Sequence, residues 1–139
     1  MDFDLERFVT AQDPLFERVI AELANGQKTS HWMWFVFPQL AGLGTSAMSQ
    51  RYALSGLEEA EAYLAHPVLG PRLLMAMAMV MAVRPKSAEA ILGPVDAAKL
   101  RSSMTLFALA SADPQPFVEV LDAFYGGAPD PATLKLLGA

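Results

Sequence analysis

The chain has 139 residues, the length of one ordinary domain, and it is 53% hydrophobic and 18% charged. This composition excludes a disordered chain, because it supplies enough apolar surface for a full core. A formal net charge of −5 with only 10 Lys and Arg disfavours a protein-wide interaction with nucleic acid, which needs a basic face. The absence of cysteine excludes disulfides, thiolate catalysis and cysteine-ligated zinc. We expect one helical domain spanning residues 1–139.

Membrane and export signals are also missing from the pattern. The first residues, MDFDLERF, carry three acidic groups and lack the basic region and apolar run of a signal peptide. The longest apolar run, Leu73 to Val83, falls short of the roughly 20 residues that span a bilayer as a helix. We therefore expect a cytoplasmic protein with neither a membrane nor a nucleic acid as partner.

The first elements are short helices. A mixed polar and apolar pattern predicts one from Asp2 to Thr10. Asp13 and Pro14 then suit a helix start, since aspartate accepts a free N–H and proline needs none at the first position. An apolar stripe follows at helical spacing, and Gly26 suits the stop.

Residues 32–37 are six large apolar residues in a row and fit either a buried strand or a buried helix. A lone strand would have no partner, because no second strand pattern exists, so helix is favoured. Pro38 ends this element and residues 40–46 form a loop with two glycines.

The second half of the sequence also predicts a series of short helices separated by clear breaks. We predict helices at 47–54, 57–64, 68–84, 87–92, 96–111 and 114–125, with a final turn after Asp130-Pro131. Ser55 and Glu58 fit a capping box, and His66 suits the start of the helix after it. The segment 68–84 is apolar nearly all round, which is typical of a buried helix. The prediction is all-α: a compact orthogonal array of about six to eight short helices around this central Met/Ala-rich helix.

The stretch from Gly26 to Ser46 mixes aromatic and titratable side chains more densely than any other. His31 suits a general base or ligand donor near neutral pH, or a histidine that holds a turn. Lys28 could contact an anion or lie exposed at a loop end. Trp32 and Trp34 suit either core packing or a stacking platform, and a buried indole N–H needs a partner such as Gln39 or a loop carbonyl.

Two further segments could complete such a site. The loop GLGTS could present N–H groups to a phosphate, although a plain turn with Ser46 as helix cap is favoured. Lys99, Ser102 and Thr105 share a helix face that could form a cationic, hydroxyl-lined wall with Arg72 and His66. A helix–helix contact through small residues explains this face equally simply and is favoured.

Known catalytic and metal motifs are not found. Only two histidines exist, and neither takes part in a metal-binding or G-x-S-x-G pattern. Glu58, Glu59 and Glu61 suit a solvated helix face. We expect neither a metal nor a cofactor.

Four runs occur in chain order: KTSHWMWFVFPQLAGLGTS, Tyr52-Ala53, YLAHPVLGPRL and KLRSSMTLF. Together they resemble one bacterial family, domain of unknown function 1810. The resemblance covers nearly the whole chain and implies a small, mainly helical protein with no established activity. Some members carry the label "calpastatin-like", but inhibitor segments of that kind are disordered and polar, whereas this chain is rich in core residues.

The first hypothesis is a module that binds a small anionic or nucleotide-like ligand, with a pocket formed by residues 28–39 opposite Arg72 and the 99–105 face. An alternative is a hydrolase or transferase that uses a histidine as general acid or base. A third is a protein-interaction module with a partly exposed aromatic stretch.

Overall fold

The computed structural model describes residues 3–139 and confirms the all-α prediction, with ten helices and no strand in that range. The ten exceed the six to eight expected because three are only four or five residues long. Asp2, the predicted start of the first helix, lies outside the described residues. In order, the helices are α1 (Glu6–Gln12), α2 (Phe16–Ala24), α3 (Met33–Val36), α4 (Ala47–Arg51), α5 (Leu57–Ala65), α6 (Leu69–Ala82), α7 (Ala88–Leu92), α8 (Pro94–Ala110), α9 (Gln115–Tyr125) and α10 (Pro131–Leu137).

Helix α8 is the most enclosed element of the array. It packs against α5, α7, α9 and α10, and its buried residues occur on nearly every side. The Met/Ala-rich helix α6 packs against α2, α5 and α9, yet its outer face stays open to solvent. Helix α8 is therefore more enclosed than α6, and its hydroxyl-bearing residues Ser102, Ser103 and Thr105 are buried.

A sharp corner joins α5 to α6, which lie 89° apart. His66 lies at this corner, where its Nδ1 accepts the backbone N–H groups of Val68 and Leu69, at 3.1 and 3.2 Å. This confirms the expected role of His66 at the helix start. Gly70 lies so close to α5 that an added Cβ would lie 2.3 Å from the carbonyl oxygen of Leu64.

The predicted end of α2 and the predicted start of α10 are confirmed, and both depend on residues close by in the sequence. Asn25 ends α2 and is followed by Gly26 with a φ of +72°, and Asp130 caps α10 by accepting the N–H of Thr133. The predicted start of α2 at Asp13-Pro14 was wrong, because α2 begins at Phe16 without a side-chain cap. The Asp13 carboxylate lies instead against Arg72 of α6, at 2.9 Å.

The predicted capping box at Ser55 is also shifted by one residue. Glu59, rather than Glu58, accepts the Ser55 N–H at 2.8 Å. Glu59 is buried and forms a 3.1 Å salt bridge with Arg7, so the solvated face expected for the glutamates does not include it. This pair ties α1 to the start of α5.

In the range that the structure describes, no single helix is both long and apolar enough to cross a membrane. Among the described helices, only α5 and α6 taken together meet those two criteria, and the corner between them bends the pair by 89°.

Candidate functional site

The turn before α3 is organised by Glu22 of α2. Its carboxylate accepts the backbone N–H groups of Thr29 and Ser30, the Ser30 hydroxyl and the indole N–H of Trp32, at 2.5 to 3.0 Å. Burial alone would raise the pKa of Glu22, but these four hydrogen bonds outweigh it and lower the pKa to about 2. Glu22 therefore stays ionised and fixes the course of residues 29–32.

The same turn carries Lys28 to the start of α8. Its backbone N–H donates to the carbonyl of Ile91, and its Nζ lies 2.9 Å from the Asp96 carboxylate. The Lys28 side chain is only 8% exposed, so this carboxylate is an essential counter-ion. Lys99, one turn further along α8, lies 3.7 Å from the other oxygen of Asp96.

Each lysine also lies over an indole ring. The Lys28 Nζ is 5.1 Å from the ring centroid of Trp32, and the Lys99 Nζ is 5.4 Å from that of Trp34. Both distances suit a cation–π interaction. Trp32 is fully buried, whereas Trp34 is half-buried. We call these five residues the lysine–indole cluster: Lys28, Trp32, Trp34, Asp96 and Lys99.

The lysine–indole cluster is bordered by two carboxylates. Lys28 and Lys99 share that of Asp96, and the ionised Glu22 is hydrogen-bonded to Trp32. The Lys99 and Asp96 side chains are partly accessible, at 22% and 17%. Lys99 is therefore in contact with solvent beside the half-buried indole of Trp34.

The other residues predicted in this stretch have different surroundings. His31 is exposed and forms no side-chain hydrogen bond with the described residues. The indole N–H of Trp32 donates to Glu22. The prediction that Gln39 or a loop carbonyl accepts it was therefore wrong. Ser46 caps α4 by accepting the N–H of Ser49, at 3.1 Å, which confirms the plain-turn interpretation of the GLGTS loop.

The hydroxyl face of α8 serves the docking of the C-terminal helix. Ser102 donates to the Asp130 carboxylate at 3.1 Å, and Thr105 donates to the Arg101 carbonyl four residues earlier. The Thr105 oxygen also accepts the Asp130 N–H, at 2.9 Å. Both residues are buried, which agrees with the favoured helix-contact interpretation. Of this face, the lysine–indole cluster includes only Lys99.

Arg72, the remaining residue of the predicted wall, makes its contacts at the junction of α1 and α2. It forms a salt bridge with Asp13, approaches the Gln12 side chain at 3.4 Å and lies over the Phe16 ring. Within residues 3–139, none of these contacts is to the lysine–indole cluster. The structure thus joins Lys28, Trp32, Trp34 and Lys99 and leaves Arg72 with other partners.

Sequence reasoning missed Glu22 and Asp96, although both left a signal. Glu22 follows Val19 by three residues, which places a carboxylate on the apolar stripe of α2. Asp96 precedes Lys99 by three residues in the first turn of α8, where a negative charge is favoured. Within the described residues, no group of three or more metal-ligating side chains occurs.

A family model described as "Protein of unknown function (DUF1810)" matches residues 2–137. The chain belongs to this family. The DUF1810 chain is similar to a solved structure, that of the conserved hypothetical protein Rv1873 from Mycobacterium tuberculosis. The two are 53% identical with a TM-score of 0.96, over 99% of this chain and 98% of the other. No curated protein matches the DUF1810 chain.

Proposed function

We propose that this protein binds a small anionic ligand with a planar group, such as a nucleotide, at the lysine–indole cluster. The observation that carries the proposal is the sharing of Asp96 by Lys28 and Lys99 against two indole rings. This arrangement sets a partly accessible ammonium group beside a half-buried aromatic surface.

Lys99 and the Trp34 indole would contact two different parts of one ligand. Lys99 supplies an ammonium group that suits a phosphate or carboxylate, and its flexible stem lets it leave Asp96 for the incoming anion. The indole of Trp34 suits a base or another flat ring, because stacking tolerates many ring types. Lys28 is held by Asp96 and nearly enclosed, so Lys99 is the more accessible cation of the two.

The enzymatic alternative has less support. His31 has no orienting carboxylate or hydroxyl partner among the described residues, which general acid–base catalysis normally requires. The His66 Nδ1 is used at the start of α6. Neither histidine therefore has the surroundings of a catalytic base, and the ligand-binding proposal does not depend on either.

A thermal-shift panel of nucleotides, ADP-ribose, sugar phosphates and organic acids tests the proposal. A ligand present at 100 times its Kd should add about 2.7 kcal/mol to the free energy of unfolding. In Lys99→Met the shift should vanish, because the variant keeps the side-chain volume and removes the charge.

Lys135→Met is the matched control, since Lys135 is an exposed lysine at the end of α10. It should keep the shift of the wild-type protein. A panel in which no compound stabilises the wild type, or in which Lys99→Met responds as strongly as Lys135→Met, would overturn the proposal.

A further inference from the structure

A polar hollow lies between the exposed side of α2 and the turn that follows it. Its volume is about 470 Å³, which is within the size range of small-molecule sites. Among the described residues, no member of the lysine–indole cluster lines it, so it is a separate surface. All but one of its lining side chains are polar: Arg18, Glu22, Asn25, Gln27, Thr29 and Ser30.

The hollow carries two opposite charges that are not paired with each other. Arg18 and Glu22 stand four residues apart on α2, the spacing at which opposite charges usually pair on a helix. They form no salt bridge, because the Glu22 carboxylate is turned towards residues 29–32 and accepts four hydrogen bonds there. Arg18 is exposed and has neither a salt bridge nor a side-chain hydrogen bond within residues 3–139.

The contacts of Glu22 leave part of its carboxylate available. Oε1 accepts three N–H groups, whereas Oε2 accepts only the Ser30 hydroxyl, at 2.5 Å. A carboxylate oxygen has two lone pairs, so Oε2 can accept one more donor. The side chains of Asn25, Gln27 and Thr29 form no hydrogen bond within the described residues, so their amide and hydroxyl groups are available too.

We propose that this hollow binds a free α-amino acid with an uncharged polar side chain, such as glutamine. The carboxylate of the ligand pairs with Arg18, and its ammonium group donates to Oε2 of Glu22. Both groups are attached to one carbon atom, so a single small ligand can bridge two charges that do not reach each other.

The surroundings of the two charges favour a zwitterion over simpler ligands. Glu22 repels an anion that lacks an amine, and Arg18 repels a cation that lacks a carboxylate. The neutral groups of Asn25, Gln27 and Thr29 are left to contact the side chain of the ligand. This inference does not rest on ligand binding at the lysine–indole cluster.

Isothermal titration calorimetry with the standard free amino acids tests the inference. An amino acid with an uncharged polar side chain should bind the wild-type protein. Arg18→Met should weaken that binding by about tenfold or more in Kd, because it removes a hydrogen bond between charged groups. Arg84→Met, at an exposed arginine just after α6, is the matched control and should bind as the wild type does.

Two derivatives of the bound amino acid test its two charges separately. The N-acetyl derivative lacks the ammonium group and the α-amide lacks the carboxylate, so each should bind more weakly by about tenfold or more. In a ¹H–¹⁵N spectrum the amino acid should shift the indole resonance of Trp32, which shares the Glu22 carboxylate, more than that of Trp34.

Four results would overturn the inference. They are no binding by any amino acid, equal affinity in Arg18→Met and Arg84→Met, a derivative that binds as tightly as the amino acid, and a larger shift of Trp34 than of Trp32.

Discussion

Trp32 donates its indole N–H to a carboxylate oxygen of Glu22 over 2.9 Å, and both side chains are withdrawn from solvent. The same carboxylate holds the backbone of Thr29 and Ser30. Glu22 of α2 therefore fixes the turn that places Lys28 beside Asp96. The geometry of the lysine–indole cluster thus depends on a residue outside the cluster.

Glu22→Gln should lower the free energy of unfolding at pH 7 by about 2 kcal/mol. The amide oxygen can still accept the three N–H groups that use Oε1, but as a neutral and weaker acceptor, and the Ser30 hydroxyl loses its acceptor Oε2. Urea denaturation followed by tryptophan fluorescence measures the loss. Glu17→Gln, at an exposed glutamate of the same helix, should change the value by less than about 0.5 kcal/mol. Equal losses in the two variants would contradict this role of Glu22.

The stability that Glu22 supplies should disappear in acid. Because its pKa is lowered from 4.5 to about 2 in the fold, the ionised group stabilises the protein above about pH 4.5, and this contribution is lost as the pH falls towards 2. The difference in unfolding free energy between the wild type and Glu22→Gln should therefore shrink across that interval. A difference that stays constant from pH 7 to the acid limit of folding would rule the linkage out.

Gly70→Ala should destabilise the corner between α5 and α6. The added methyl would lie 2.3 Å from the Leu64 carbonyl oxygen, and two helix backbones must separate to admit it. We expect a loss of about 3 kcal/mol, at the upper end of overpacking effects. Gly56→Ala adds the same methyl where nothing lies within 4 Å and should cost less than about 1 kcal/mol. Thermal unfolding of both variants decides the matter, and similar melting temperatures would refute the close approach.

Asp130→Ala should release the C-terminal helix. The carboxylate caps α10 by accepting from Thr133 and holds α8 through the Ser102 hydroxyl. Losing these contacts should cost about 1–2 kcal/mol. Hydrogen exchange should speed up in residues 131–137 and stay slow in the centre of α8. Faster exchange throughout the chain would show instead that Asp130 supports the fold as a whole.

Asp96→Asn should change ligand affinity and stability in opposite directions. The neutral amide no longer competes for Lys99, so an anion that binds the wild type should bind more tightly. Stability should fall by about 1–3 kcal/mol, because the nearly enclosed Lys28 loses its counter-ion. Glu89→Gln, at an exposed carboxylate of α7, is the control and should change neither. Weaker anion binding by Asp96→Asn would contradict the proposed role of Lys99.

Local patterns predicted most of the fold. The all-α class, the stop at Gly26, the cap at Asp130 and the role of His66 depend on neighbouring residues alone, and all four are confirmed. The start of α2 could not be predicted in this way. By its local sequence, Asp13-Pro14 is as good a helix start as Asp130-Pro131. The Asp13 carboxylate pairs with Arg72 of α6 instead, and the local sequence does not contain that contact.

In the candidate site, too, contacts between distant segments could not be predicted from the local sequence. Clustering of aromatic and titratable side chains pointed to residues 28–39, and the 99–105 face was offered as the opposite wall, although a helix–helix contact was favoured for it. Which of its residues do so depends on the rotation of α8: Lys99 faces the indoles, while Ser102 and Thr105 face α10. Sequence periodicity gives a face of a helix but does not say which neighbour that face meets.

The two indole N–H resonances in a ¹H–¹⁵N spectrum test the central claim most directly, because the chain has only two tryptophans. The spectrum is recorded while the best stabilising nucleotide or sugar phosphate is added, with the resonances assigned from Trp34→Phe. The account predicts a saturable shift of the Trp34 resonance and a much smaller one for Trp32, whose N–H is held by Glu22. A Trp34 resonance that stays in place while the ligand binds, or no binding by any compound of the panel, would contradict it.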